Sequence, residues 1–212
     1  MAGPGALAAL TAEALRGRIA ALVGRDRRAL ALPDRVRAAV LVLFVYRGGV
    51  PLLVFAKKTE DVPHHKGQFS FPGGVVRSDD ESPVEAALRE AREEIGLETA
   101  DVEVLGIFDD VPTTVTNFVI TPVLALARAE PRFRPDGREI ERVLEIPLAH
   151  LLEPTAFREE QWEREGVRRA VLFVSYGEDV VWGTTGRILR EVLDALFPET
   201  RRSARGARES TG

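Results

Sequence analysis

The segment at residues 71–97 constrains the fold most, because it predicts a glycine-rich turn followed by an acidic helix. Residues 82–85 read Ser-Pro-Val-Glu, the form of a capping box with proline at the first helical position, and Gly96 supplies a C-terminal stop. One stripe of the helix is apolar and comprises Val84, Leu88, Ala91 and Ile95. The far side carries three glutamates near the end of the helix: Glu90, Glu93 and Glu94. One face is therefore expected to pack, and the other is charged.

The three glutamates lie where helix electrostatics disfavour them. The C-terminal end of a helix carries partial negative charge, so each glutamate there costs about 0.3–1 kcal/mol. Glu90 and Glu94 are also a like-charge pair four residues apart, which costs about 0.2–0.5 kcal/mol, and Arg89 and Arg92 relieve only part of this. A solvated charged surface is one interpretation. A hard divalent cation such as Mg²⁺ would reverse both penalties, because it prefers carboxylate oxygens, so the pattern favours a metal-binding face.

Gly74 and residues 89–97, which read Arg-Glu-Ala-Arg-Glu-Glu-Ile-Gly-Leu, resemble the Nudix box, the strand-loop-helix signature of Nudix hydrolases. The signature is a glycine, a spaced acid and then R-E-U-x-E-E-x-G-U, where U is apolar. The second half matches in full. The gap from Gly74 to Arg89 is one residue longer than in the common box, so either Asp80 or Glu81 fits the acidic position. The resemblance implies an α/β fold, in which a mixed β-sheet lies between helices as an α/β/α sandwich.

The resemblance also implies roles for the residues of the box. Glu90 and Glu94 are the first choices as ligands of Mg²⁺ or Mn²⁺, with the Gly74 carbonyl nearby. Glu93 would be either a further metal ligand or the base that activates water, and Arg89 would orient a carboxylate. Divalent ions lower the barrier to diphosphate hydrolysis by neutralising phosphate oxygens and by making bound water more acidic.

A polar loop at residues 57–68, which we call the recognition loop, precedes the glycine pair. Composition alone also fits an ordinary exposed loop. Residues 67–74 resemble the G-x-x-x-F-P-G-G part of a second signature, found in Nudix hydrolases that act on coenzyme A, and His65 is in its histidine position. Lys58 replaces an arginine of that signature, and Pro63 stands where it has another arginine. The resemblance assigns substrate contact to four residues of the loop: Lys58, His65, Lys66 and Gln68.

A zinc site at the adjacent residues His64 and His65 is the competing interpretation of this loop. The chain has no cysteine, and its only other histidine is His150. Structural zinc sites are typically built from four Cys or His ligands. We therefore favour a role for His65 in loop structure or phosphate contact.

The rest of the chain predicts further strands and two more helices. β-rich runs predict strands at residues 36–46, 51–56, 102–108, 118–127, 169–176 and 179–182, and helical spacing predicts helices at residues 7–23 and 183–196. Residues 138–148 resemble the family segment in which an acid precedes a strand that ends in Val-Pro-Leu. Glu139 matches that acid and is our candidate for an extra metal ligand or base outside the box.

Length and composition suit one domain with a substantial core, since the chain has 212 residues and 45% of them are hydrophobic. We expect an N-terminal helical extension at residues 1–34, a Nudix domain at residues 35–198 and a disordered tail at residues 199–212. The net charge of −4 gives no general attraction to nucleic acid. The longest apolar run, residues 38–46, is far below the roughly 18 residues of a membrane span, and the N-terminus lacks the basic region of a secretory signal. These features predict a soluble, cytoplasmic protein.

The function implied by the resemblance is a Mg²⁺- or Mn²⁺-dependent diphosphatase, or pyrophosphatase, with a small nucleoside diphosphate substrate. The preferred substrate is coenzyme A or an acyl-CoA, split to 3′,5′-ADP and 4′-phosphopantetheine or its acyl form. ADP-ribose, NADH or another nucleoside diphosphate derivative is the alternative, which Pro63 supports. A Nudix-fold binding protein without catalysis would be expected to have lost acids of the box, and all are present here. The oligomeric state is left open, with a homodimer among the alternatives.

Overall fold

The computed structural model describes residues 10–61, 66–77, 82–114, 116–164 and 166–200. The helices are α1 (Ala12–Val23), α2 (Pro83–Ile95), the short α3 (Leu148–Leu151) and α4 (Gly183–Leu196), with a 3-10 turn at Thr99–Asp101. The strands of the central sheet are β1 (Val36–Arg47), β2 (Val50–Lys58), β3 (Phe69–Ser70), β4 (Gly73–Val75), β5 (Val102–Ile107), β6 (Val111–Pro112), β7 (Phe118–Ala127) and β8 (Ile140–Pro147). A second sheet contains β9 (Phe157–Arg164), β10 (Val167–Tyr176) and β11 (Asp179–Trp182).

The central sheet is mixed, because β1 runs parallel to β7 and antiparallel to β2 and β4. The main strand order is β3-β2-β1-β7-β5, while β4 pairs with β1, β6 with β7 and β8 with β2. The C-terminal half of β1 forms the predicted hairpin with β2, and its N-terminal half pairs with β4 through Ala39 and Gly74. The start of β1, the end of β2 and the glycine pair consequently lie at one end of the sheet.

Side chains alternate along β1 and divide the core into two layers. Leu41 and Leu43 pack under α2, in the cluster that includes Ala87, Ala91 and Ile95. The next residues along the strand, such as Val42 and Phe44, face the other side, where α1 and α4 contribute apolar residues that include Leu15, Ile19, Ile188 and Leu189. Helices thus cover both faces, and the predicted α/β/α sandwich is confirmed.

The first described helix, α1, begins later than its apolar spacing predicts. The Thr11 hydroxyl accepts the N–H of Ala14 at 3.2 Å and caps the helix, whose buried residues include Leu15, Ile19 and Leu22. Ala14, although apolar, is exposed. Residues 1–9, which include the first three residues of the predicted helix, and residues 201–212 of the predicted tail lie outside the described residues. The three domain boundaries stay predictions.

An N-terminal arm, defined as residues 25–35, follows α1 and runs along the segment between β5 and β6. Asp110 holds the arm, because its carboxylate accepts the N–H of Leu30 at 2.8 Å and forms an ion pair with Arg27. The hydroxyl of Thr121 donates to the same carboxylate at 2.7 Å. This buried contact fixes the arm against the sheet edge beside the start of β7.

Strand β9 was not predicted, although β10 and β11 were. Its sequence is dominated by charged residues and lacks the apolar alternation of a half-buried strand. Pairing with β10 over its whole length makes it a strand. Among the described residues, no helix combines the length and apolar character that a membrane crossing requires.

Candidate metal and active site

Helix α2 forms as its local chemistry predicts. The Ser82 hydroxyl accepts the N–H of Glu85 at 3.2 Å, and the Glu85 carboxylate accepts the N–H of Ser82 at 2.8 Å, which completes the capping box. Gly96 ends the helix at φ 65°, in the left-handed region that glycine adopts without a steric penalty. Both ends are fixed, and with them the directions in which the three glutamates leave the helix.

Glu94 is buried, whereas the sequence pattern placed it on the charged side of the helix; it is only 5% exposed. Its Oε2 accepts the N–H of Gly73 at 3.0 Å, and its Oε1 lies 3.8 Å from Lys58 Nζ. Burial raises the pKa of Glu94 from its ordinary 4.5 to about 7, although Lys58 and the Gly73 N–H lower it; the charges of Glu90 and Glu139 raise it further. The charged form of this carboxylate is therefore short of cationic partners.

Glu90 lies against the backbone of β4. Arg89 Nη1 donates to Glu90 Oε1 at 2.6 Å, and Nη2 of the same guanidinium donates to the Val75 carbonyl at 3.0 Å. A Cβ atom on Gly74 would lie 2.6 Å from Cδ of Glu90. The Glu90 carboxylate therefore occupies space that is available only because residue 74 has no side chain. The structure thus brings Gly74, Arg89 and Glu90 together, and their metal-binding and catalytic roles stay predictions.

Glu93 is the most exposed of the three glutamates, with 49% of its side chain accessible. Its Oε2 accepts from Arg77 at 3.0 Å and from Arg89 at 3.4 Å. Arg77 was not among the predicted site residues, because one basic residue after a short strand carries no distinguishing pattern. Arg89 therefore links Glu93 to Glu90, while Glu93 itself faces solvent.

The recognition loop returns to the carboxylates at both of its ends. The N–H of Lys58 donates to the Gln68 carbonyl at 2.9 Å, and the N–H of Thr59 donates to the Glu139 carbonyl at 2.9 Å. Glu139 is exposed and close enough to Glu94 for its charge to affect the pKa of that residue. Lys58 and Glu139, which are far apart along the chain, thereby lie near Glu94, and Gln68 is paired with Lys58.

The remaining predicted positions lie on an exposed turn or outside the described residues. Lys66 lies on an exposed turn at the end of the recognition loop. The predicted substrate contact His65 and the departing residue Pro63 lie outside the described residues. The two candidates for the acidic position of the box, Asp80 and Glu81, lie outside them as well.

Gly73 is a further site residue that was not predicted, since only Gly74 was assigned a role. Its φ of 154° favours glycine, and a Cβ there would lie 2.3 Å from the Ala39 carbonyl oxygen. Its N–H is the donor that holds Glu94. The glycine doublet itself was the available signal, because a strand that needs two consecutive glycines approaches neighbouring groups closely on both faces.

The fit of a metal ion can be judged from these contacts. Among the described residues, no group of three or more His, Cys, Asp or Glu side chains is already arranged to hold one. Glu90 and Glu94 nevertheless offer carboxylate oxygens one helical turn apart, next to a glycine backbone, and Glu94 is buried with the Lys58 ammonium no nearer than 3.8 Å. Hard oxygen donors of this kind suit Mg²⁺ or Mn²⁺, so the residues present fit such an ion.

The family match and the relatives of this chain indicate a hydrolase of pyrophosphate bonds. Residues 35–169 match the NUDIX domain model, and the chain belongs to the Nudix hydrolase family. Members of this family act on small nucleoside diphosphate substrates and generally use divalent metal ions.

Two curated relatives share the name uncharacterized Nudix hydrolase NudL. The relative from Pectobacterium atrosepticum is 35% identical over 156 residues, which cover 74% of this chain and 80% of that protein. The relative from Salmonella newport is 36% identical over 156 residues, which cover 74% and 81%. Among solved structures, the Nudix hydrolase RenU from M. Smegmatis is similar at 26% identity and a TM-score of 0.43, over 53% of this chain and 71% of that one.

Proposed function

We propose that this protein is a Mg²⁺- or Mn²⁺-dependent diphosphatase of coenzyme A or acyl-CoA, which releases 3′,5′-ADP and 4′-phosphopantetheine or its acyl form. The supporting observation is the position of Lys58, whose Nζ lies 3.8 Å from Glu94 Oε1. Lys58 ends β2 and belongs to the recognition loop, which resembles the coenzyme A signature. One residue therefore connects the segment expected to select the substrate with the helix expected to cleave it.

The proposed reaction is attack of water on one phosphorus of the diphosphate, with the other phosphate as the leaving group. Glu90 and Glu94, with the Gly74 carbonyl, would hold the divalent ion, which when bound neutralises phosphate oxygens and makes water more acidic. Arg89 fixes the Glu90 carboxylate and is itself anchored on the Val75 carbonyl. The positions of the two ligands are therefore set before substrate arrives.

Two carboxylates are candidates for accepting the proton of the attacking water. Glu93 Oε2 is shared by Arg77 and Arg89, whereas Glu139 is exposed beside Glu94. We therefore favour Glu139 as the base and assign Glu93 to positioning Arg89. Lys58 would offer its ammonium to the diphosphate as a point charge, in place of the bidentate contact that an arginine makes.

The second candidate is hydrolysis of ADP-ribose, NADH or another nucleoside diphosphate derivative. It is supported by Pro63, which stands where the coenzyme A signature has arginine. These compounds share the diphosphate with coenzyme A and would use the same carboxylates. Selection between the two candidates would therefore depend on residues outside α2.

A product assay tests the proposal. Coenzyme A, an acyl-CoA, ADP-ribose and NADH are incubated separately with the protein, and the products are separated by chromatography. We expect coenzyme A or the acyl-CoA to have the highest kcat/KM and to yield 3′,5′-ADP, with activity lost in EDTA and restored by Mg²⁺ or Mn²⁺. Preference for ADP-ribose or NADH, or no cleavage of any compound, would overturn the proposal. Glu94→Gln protein purified in parallel controls for contaminating hydrolases.

A further inference from the structure

A second feature near the carboxylates is an open cavity of about 440 Å³ between the N-terminal arm and the starts of β1 and β7. Its volume lies within the range of about 300–1,000 Å³ that small-molecule sites occupy. The arm supplies an apolar wall that includes Leu30, Ala31 and Pro33, and β7 supplies Val119. Three arginines also line the cavity: Arg27, Arg35 and Arg37. The cavity thus combines an apolar wall with concentrated positive charge.

The charges of the three arginines are only partly compensated. Arg27 pairs with Asp110, the acidic residue that also lines the cavity. Arg35 donates to the main-chain carbonyl of Thr113 at 2.8 Å, which positions its guanidinium without cancelling its charge. Arg37 is exposed, and its guanidinium has no hydrogen bond or ion pair with any described residue. The lining therefore keeps an excess of positive charge, which is most readily available at Arg37.

The register of β1 relates the cavity to the carboxylates. Ala39 pairs with Gly74, and a Cβ on Gly74 would meet Glu90, so both residues face α2. Arg37 precedes Ala39 by two residues and therefore projects from the same face, about 7 Å along the strand. Its carbonyl accepts the N–H of Val76, directly after β4. Arg37, which lines the cavity, thus lies on the face of the sheet that carries the carboxylates, one strand repeat from the residue that pairs with Gly74.

We propose that this cavity binds a phosphate monoester on the nucleoside half of the substrate, separate from the diphosphate that is cleaved. A guanidinium such as that of Arg37 matches phosphate oxygens in charge and geometry, and the apolar wall suits the nucleoside. This inference rests on the proposed function. It identifies a group that coenzyme A carries, as its 3′-phosphate, and that ADP-ribose and NADH lack. The arm and Arg37 would therefore discriminate between the two substrate classes.

Equilibrium binding in EDTA tests the cavity without metal or turnover. We expect the protein to bind 3′,5′-ADP at least about tenfold more tightly than 5′-AMP, since one charge-assisted contact to phosphate is worth about that factor. Arg37→Ala should abolish the preference, and Arg37→Lys should retain part of it. Ala31→Glu, which adds a carboxylate to the apolar wall, should abolish it independently. Arg168→Ala removes an exposed arginine on β10 and should leave the preference intact.

Equal affinity of the wild-type protein for 3′,5′-ADP and 5′-AMP would overturn the inference. Survival of the preference in both Arg37→Ala and Ala31→Glu would overturn it too. Neither result bears on whether coenzyme A is hydrolysed, which the product assay measures. If the protein cleaves coenzyme A without this preference, the proposed function stands and the role of the cavity is refuted. If it shows the preference but cleaves only ADP-ribose, the proposed function is refuted.

Discussion

Replacing Glu94 by Gln is expected to reduce metal-dependent turnover at least about a hundredfold, because it removes a charged oxygen from the most buried of the predicted ligands. Gln keeps the shape of the side chain and can still accept the N–H of Gly73, so the fold should be retained. Steady-state kinetics at saturating Mg²⁺ measure the effect, and circular dichroism checks the fold. Turnover near the wild-type value would contradict the role assigned to Glu94.

The same substitution is expected to stabilise the protein in EDTA at alkaline pH. The pKa of Glu94 is raised from 4.5 to about 7 in the folded protein. The protonated side chain therefore contributes to the free energy of unfolding below pH 4.5, and this contribution is lost as the pH rises through about 7. At pH 8, Glu94→Gln should therefore raise the free energy of unfolding by up to about 3 kcal/mol. Denaturant titrations at pH 5 and pH 8 measure this, and the difference between wild type and variant should shrink at pH 5. A variant less stable than wild type at pH 8 would contradict the cost that we assign to burying this charge.

Alanine substitution of the two adjacent glycines is expected to affect different properties, stability at Gly73 and turnover at Gly74. Gly73→Ala adds a Cβ 2.3 Å from the Ala39 carbonyl oxygen and 2.6 Å from the Val40 Cα, at a φ of 154°, and should destabilise the fold by about 3 kcal/mol. Gly74→Ala meets the end of the Glu90 side chain, which can rotate away. It should therefore preserve stability but displace Glu90 and reduce turnover about a hundredfold.

Thermal unfolding and kinetics of both variants separate these effects. Gly17→Ala is the matched control, because nothing lies within 4 Å of its added Cβ, and a Gly to Ala change within a helix is neutral or stabilising. If Gly74→Ala kept full turnover, the close contact between Gly74 and Glu90 would have no role in catalysis. If the Gly73→Ala protein were as stable as the Gly17→Ala protein, β4 could not approach β1 as closely as these distances require.

The sequence predicts both ends of α2, through the capping box of Ser82 and Glu85 at the start and Gly96 at the C-terminus. Both ends are predictable because each signal acts within about four residues of the chain. Burial of Glu94 could not be predicted in the same way. It depends on the depth at which β4 and Lys58 meet the helix, which follows from pairing between segments far apart along the chain. Helical periodicity instead grouped Glu94 with Glu90 and Glu93 on the charged side of the helix.

The cavity beside the site illustrates the same limit. The arginines of the N-terminal arm read as a generic basic run after a helix, and Arg37 as the charged start of an apolar strand. Their approach to one another depends on Asp110, whose carboxylate holds the arm against the sheet edge. A contact over some 80 positions of the chain leaves no local signal in one sequence.

We propose above that Glu90 and Glu94 hold a divalent ion beside the glycine pair. A titration with Mn²⁺ that is monitored by electron paramagnetic resonance tests this most directly. It compares the wild-type protein with Glu90→Gln, Glu94→Gln and the exposed control Glu163→Gln. We predict that each of the two site variants weakens Mn²⁺ binding at least about tenfold, while the control binds as the wild type does. Equal Mn²⁺ affinity in all four proteins would contradict metal binding by Glu90 and Glu94.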